Sequence, residues 1–182
     1  MTDKTKMSIR LWSDGHSFPT THSTTDPTKV VVEFLSPKTT LVPADLYQEE
    51  QAAEYLSLAG MPCSKEEIAI RTSPQEGCVA VMAINRALRE QLPEQATFTS
   101  PLLPTESPTT PTAILEQHGN LLYIQLWNPS LQLAEVLPIQ QQEEILYYLA
   151  RLAQLFPLKG MKLQCRGEET KRLRTVAQTY FQ

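Results

Sequence analysis

Glycine-rich phosphate loops, metal-binding cysteine pairs, long apolar runs and an excess of positive charge are all missing from this chain of 182 residues. Without G-x-x-x-x-G-K-[ST] or G-x-G-x-x-G it has neither of the glycine loops that wrap backbone amides around phosphates. Without H-E-x-x-H or G-x-S-x-G it has neither the helical zinc pair nor the nucleophile elbow. Cys63, Cys78 and Cys165 are odd in number, show no C-x-x-C spacing and have no His nearby. That argues against a disulfide framework and a structural zinc site, and reads as buried free thiols. No apolar stretch approaches the roughly 20 residues that cross a bilayer. Met1 to Lys6 is polar and leads into a short apolar run with no signal-peptide core, so the expectation is a soluble cytoplasmic protein with no membrane partner. Sixteen Lys plus Arg stand against twenty Asp plus Glu, a net charge of -4, so capture of nucleic acid by mass electrostatics is disfavoured.

What is present is an ordinary globular composition, 41% apolar and 20% charged, in a chain long enough to bury about 70% of its unfolded surface. Ser8 to Trp12 alternates as a strand does, and Ser13, Asp14, Gly15 and His16 supply the turn of a hairpin. Thr20 to Thr28 reads as loop. Lys29 to Leu35 is a β-branched run with the pattern of a strand covered on both faces, which Thr39 to Val42 extends or pairs. Asp45 is placed to cap a helix over Leu46 to Leu58, ended by Gly60 and Pro62. Glu67 to Arg71 and Cys78 to Ala83 follow as strands, Ile84 to Leu92 as a short helix, and Ala96 to Ser100 as one more strand. Pro101, Pro104, Pro108 and Pro111 break up a Thr- and Ser-rich stretch, which divides the chain into an N-terminal subdomain (1-100), a linker (101-112) and a C-terminal subdomain (113-182).

Past the linker, Leu121 to Trp127 and Leu131 to Leu137 alternate around Asn128, Pro129 and Ser130 as a second hairpin. Gln140 to Phe156 carries Ile145, Leu146, Leu149, Leu152, Ala153 and Phe156 on one helical stripe. Met161 to Cys165 is a strand, Gly167 a turn, and Glu168 to Phe181 a final helix. Ile9, Arg10, Leu11, Trp12 echo Ile124, Gln125, Leu126, Trp127, each a strand ending in Trp before a polar turn, a match short enough for chance to give and no sign of a tandem array.

Three segments carry a family resemblance: SIRLWSDGHSF (Ser8 to Phe18), TLVPADLY (Thr40 to Tyr47) and EEILYYLARL (Glu143 to Leu152) with the short strand ending at Gly167. On these the chain resembles a family of uncharacterised proteins from Bacteroidota, classed as a domain of unknown function, whose fold is similar to the actin-like ATPases. The resemblance implies an α/β protein of two ribonuclease H-like subdomains, the first truncated because a Thr-rich loop stands where relatives carry a strand and a helix. It also implies analogy with the actin-like components of pilus and type II secretion assemblies, which act by binding partners.

In such folds two hairpin turns hold nucleotide phosphates, and Asp14 and Gly15 stand at a turn of that kind, with Gly167 towards the base. At Asn128, Pro129 and Ser130 the second turn lacks both an acid and a glycine, and Pro129 removes an amide donor. His16, His22 and His118 show no partner spacing for a metal or a catalytic relay. Tyr147 and Tyr148 leave their helix about 100° apart, so at most one is core and the other marks a partner surface. Lys171, Arg172 and Arg174 form a local basic surplus on the last helix.

These residues are read as a non-catalytic protein-interaction or scaffold protein on a degraded actin-like ATPase fold, with no cofactor, no metal and an unidentified protein partner. A nucleotide-binding ATPase using ATP with magnesium at Asp14, Gly15 and Gly167 is the alternative. A binder of nucleic acid or an acidic protein through the basic C-terminal helix is a second, and a homodimer is left open.

Overall fold

The computed structural model describes residues 7–15, 17–20, 30–103 and 107–182, and the chain divides into two compact units, Met1–Leu103 and Pro104–Gln182. His16, His22 and the loop that follows Thr20 lie outside the described residues. Among the described residues no helix is long and apolar enough to cross a membrane.

In the first unit, β1 (Met7–Trp12) turns back through Ser13 to Gly15 into antiparallel β2 (Ser17–Thr20). Gly15 sits at φ +91°, a conformation that an L side chain resists, and its N–H donates to Trp12 O at 3.0 Å. β3 (Val30–Leu35) lies on the other side of β1 and parallel to it, from Met7 opposite Val30 to Trp12 opposite Leu35. Arg10 and Glu33 face each other across that pairing as an ion pair. With β7 (Thr97–Thr99) beyond it, the sheet order is β2-β1-β3-β7. β3 is not covered on both faces: Val30, Val32 and Phe34 are buried, while Val31 and Glu33 are half-exposed.

The strand with two covered faces is β6 (Cys78–Asn85), in a separate antiparallel sheet of order β4-β6-β5, with β4 (Thr39–Pro43) and β5 (Glu67–Arg71). Met82 and Ile84 join Leu11, Val32, Phe34 and Phe98 in one core cluster. Val79, Val81 and Ala83, on the other face, pack with Val42 of β4 and with Ala52 and Leu56 of α1 (Ala52–Leu58). Thr39 to Val42 therefore pairs with β6 and not with β3.

Asp45 caps nothing: it is exposed in a turn, and the helix begins later, after a 3-10 turn at Glu49–Gln51. The Tyr55 hydroxyl ties the entry instead, accepting from Gln48 N–H at 3.1 Å and donating to Leu46 O at 2.8 Å. α2 is shorter than the spacing implies, Arg86–Glu90, because Ile84 is held in the ladder opposite Ile68. Asn85 then caps it, its Oδ1 accepting from Ala87 N–H at 2.9 Å.

The second unit opens with a strand that sequence reading passed over, β8 (Thr112–His118), beginning at the last linker position. Gly119 and Asn120 turn it into β9 (Leu121–Trp127), Asn128 to Ser130 lead to β10 (Leu131–Pro138), and α3 (Gln142–Leu155), β11 (Lys162–Gly167) and α4 (Thr170–Phe181) follow. The order is β10-β9-β8-β11, with β11 parallel to β8. β9 is buried along its whole length rather than alternating. Leu122, Ile124 and Leu126 meet Ile145, Leu149 and Leu152 of α3 and Leu173, Val176, Ala177 and Phe181 of α4. The α3 stripe is narrower than its sequence pattern, since Leu146 and Ala153 are exposed, and Phe156 has left the helix for an extended conformation before Pro157.

Strands β2-β1-β3 and β9-β8-β11 share one arrangement, a hairpin with a third strand laid parallel to its first. The turn equivalent to Ser13 to Gly15 is thus Gly119 to Asn120, and not Asn128 to Ser130. Trp12 ends the first strand of its hairpin and Trp127 the second of its own, so the matching tetrapeptides occupy different places.

Two expectations follow for stability. At Gly167 the φ is +88° and an added Cβ would stand 2.0 Å from Gln117 O, in the strand it pairs with, whereas Gly15 has open space. Gly167→Ala should cost more than about 2 kcal/mol and Gly15→Ala about 1 kcal/mol in urea unfolding, and equal costs would contradict the close approach. The second concerns Glu67, whose Oε2 accepts from Lys38 Nζ at 2.6 Å and Ser64 N–H at 2.7 Å. Burial acts to raise its pKa, but the hydrogen bonds and the Lys38 charge outweigh it and hold the carboxyl below its usual range. Such a group stabilises the fold above its unfolded pKa of about 4.3, and the effect is lost as pH falls through the lower folded value. Glu67→Gln should cost about 1 kcal/mol at neutral pH, and the gap from wild type should close in acid.

Candidate functional site

In the first unit the hairpin turn spends much of its donor capacity within the chain. Ser13 N–H donates to Leu35 O and Gly15 N–H to Trp12 O, both at 3.0 Å, while Asp14 and Gly15 are exposed.

The second unit builds a more elaborate constellation around the equivalent turn. A cleft of about 180 Å³ is lined by Gln117 and Gly119 at the end of β8, Gln140 and Gln142 at the start of α3, and Arg172 and Val176 of α4. A hairpin turn, a helix N-terminus and a guanidinium together make the usual ingredients of an anion site. Here the chain's own carboxylates occupy two of them. Glu168 Oε2 accepts from Gly119 N–H at 3.1 Å. Glu144 Oε2 accepts from Gln140 N–H at 2.6 Å and Gln141 N–H at 3.2 Å, closing a capping box at the start of α3. Arg172 Nε donates to Gln142 Oε1 at 2.8 Å.

Behind the turn His118 is 1% exposed, its Nε2 bonded to Glu116 Oε1 at 2.7 Å and its ring edge-on to Tyr123. Its Nδ1 has no hydrogen-bond partner and lies 4.0 Å from Glu168 Oε1. Among the described residues no group of three His, Cys, Asp or Glu is arranged to hold a metal.

The remaining sequence-derived residues fall on the helices. Neither tyrosine is core: Tyr147 is 61% exposed and Tyr148 half-buried, with their rings edge-on at 5.6 Å. Lys171, Arg172 and Arg174 are exposed on α4, so of these three the cleft takes in Arg172. Gly167 closes β11 against Gln117, where its role is the tight approach of two backbones.

Sequence reading missed Gly119, Glu144 and Glu168. A Gly-Asn pair between apolar runs marks a hairpin, and Gln141 with Glu144 has capping-box spacing, so two of the three left a local signal. Glu168 left none, because its partner is 49 residues away.

All three cysteines are free but half-buried, not buried as expected, and even partial burial pushes each thiol up, with Glu67 adding to the effect at Cys63 and Arg174 opposing it at Cys165. Less thiolate is then present at about pH 7.5 than for free cysteine, so iodoacetamide should alkylate each more slowly. A rate above that of free cysteine at any of the three would contradict the burial.

The fold these two units define has a solved counterpart. The chain is similar to a protein of Bacteroides thetaiotaomicron described as having an actin-like ATPase fold and unknown function, with a TM-score of 0.72 at 17% identity over 98% of this chain and 88% of that one. The arrangement is thus a mixed α/β structure with the actin-like ATPase fold. Residues 18–181 match the model of the DUF3822 family, proteins of unknown function, and the chain belongs to that family. A much looser likeness, with a TM-score of 0.42 at 12% identity over 90% of this chain and 82% of the other, links it to the cytoplasmic domain of EpsL, an inner membrane component of the type II secretion system of Vibrio cholerae. No curated protein matches the chain.

Proposed function

We propose that this chain is a non-catalytic protein-interaction or scaffold protein of the bacterial cytoplasm, built on an actin-like ATPase fold that no longer holds nucleotide. The reading includes two ribonuclease H-like subdomains, the first truncated. The repeated arrangement β2-β1-β3 and β9-β8-β11 supports two subdomains of one kind. Only positions 21 to 29 separate β2 from β3, whereas positions 128 to 161 separate β9 from β11 and include β10 and α3, which supports truncation of the first.

One observation carries the loss of nucleotide: Glu168 sits on the Gly119 amide of the hairpin turn, and Glu144 on the Gln140 and Gln141 amides that lead into α3. A phosphate brought to those donors would have to displace two carboxylates or stand beside them, and like charges a few ångströms apart repel. The volume of the cleft, about 180 Å³, is also small against the roughly 300 to 1,000 Å³ of typical small-molecule sites. Interaction is supported by two apolar side chains left in water on one groove, Leu46 at 63% and Leu58 at 78% exposed.

A thermal-shift titration with magnesium ATP tests this. Nucleotide at about 100 times its dissociation constant would stabilise a binder by about 2.7 kcal/mol, several degrees at this size. No shift is expected at millimolar nucleotide. A shift that disappears in Asp14→Ala would overturn the reading in favour of a nucleotide-dependent protein.

A further inference from the structure

The three-stranded sheet of the first unit ends at β4, which among the described residues pairs with β6 alone. Lys38 O accepts from Ala83 N–H and Ala44 N–H donates to Gly77 O, so the even-numbered residues of this segment are those bonded to β6. Antiparallel alternation then turns the N–H and C=O of Leu41 towards the open side of the strand. Pro43 offers no donor there, and its carbonyl is taken by Leu46 N–H at 3.0 Å, so the usable edge is short and centred on Leu41.

Beside this edge runs a groove of about 310 Å³ between β4 and α1, lined by Val42, Pro43, Leu46, Tyr55, Leu58 and Ala59. Leu46 is 63% and Leu58 78% exposed, although the helix that carries Leu58 buries Ala52 and Leu56 in the core. The surroundings are acidic. Asp45, Glu50 and Glu54 are exposed, and Glu54 lies one helical turn before Leu58, on its side of α1. Glu49 is committed to Arg71 at 3.6 Å, and from Ala44 to Ser64 the chain contains no Lys, Arg or His.

The geometry points to a docking site for an extended segment of a protein partner, which adds as a strand along Leu41, places apolar side chains in the groove and meets the acids with flanking Lys or Arg. An open edge supplies main-chain hydrogen bonds, and the adjoining pocket supplies selection of alternate side chains. The charge of the rim chooses a cationic partner over an acidic one. This site rests on the interaction reading given above and names the chemistry of the partner.

The probe is a fluorescein-labelled synthetic peptide that alternates valine with lysine, with three controls: a twin with glutamate for lysine, a twin N-methylated on the backbone, and the nucleotide titration run separately. In fluorescence anisotropy the lysine peptide should bind wild type. Leu58→Asp, Leu46→Asp and Glu50→Lys combined with Glu54→Lys should each weaken it by about tenfold or more, with circular dichroism unchanged. Binding should slow hydrogen exchange at the Leu41 amide, and N-methylation should abolish it. Equal binding of the glutamate twin, full binding by Leu58→Asp, or no binding by wild type would overturn the proposal. Self-association in sedimentation velocity that Leu58→Asp abolishes would also overturn it, by making a second copy of the chain the occupant. A null peptide result with no nucleotide shift removes this site alone, whereas a nucleotide shift lost in Asp14→Ala removes the reading beneath it.

Discussion

Both units depend on one constraint: a strand laid parallel to the first strand of a hairpin. Parallel neighbours cannot be joined by a tight turn, so the chain has to run back between them: through β2 alone in the first unit, and through β9, β10 and α3 in the second. The excursion from β9 to β11 carries α3, which buries Ile145, Leu149 and Leu152 against β9 on the way. β11 returns so closely that its last residue, Gly167, leaves no room for a side chain beside Gln117. In the first unit β3 and β7 are a further parallel pair, and the chain between them builds β4, α1, β5 and β6, with β6 joining two clusters through its two faces. A strand buried on both sides must be apolar throughout, which is why Val79 to Ile84 reads as a continuous run.

The same return places charge. α4 follows β11 directly, and the connecting residues bring Glu168 back to Gly119, beside the hairpin turn. Glu144 closes the α3 N-terminus from within its own first turn. Backbone donors at such places are satisfied by side chains, water or a bound anion, and here carboxylates of the chain itself accept from them. The electrostatics of the cleft therefore follow from the way the chain caps its own elements. Arg172 is held alongside by Gln142, a neutral partner.

Much of this was legible locally. The Asp14 and Gly15 turn, the apolar stripe of α3, the strands Glu67 to Arg71 and Leu131 to Leu137, and the final helix all follow from spacing and turn chemistry within a few residues. The failures have local causes too. TAILEQH in β8 has apolar residues at one end and polar ones at the other, with no period to mark it, and it follows directly on the proline stretch. Asp45 has the chemistry of a cap but stands too far ahead of α1, and Asn85, read as part of a helix, is the residue that does cap one.

By itself, then, the amino-acid sequence determined which segments turn, which carry an apolar face, and that no phosphate-loop or zinc motif is present, because each of these is a property of neighbouring residues. Only the tertiary structure decided that β8 and not β9 is the strand β11 lies against, that Gly119 and Asn120 are the counterpart of the first turn, and that Glu168 reaches the amide there. Strand pairing and capping across the fold join residues distant in the chain, and an apolar run carries no mark of which neighbour it will take until both of its faces are covered.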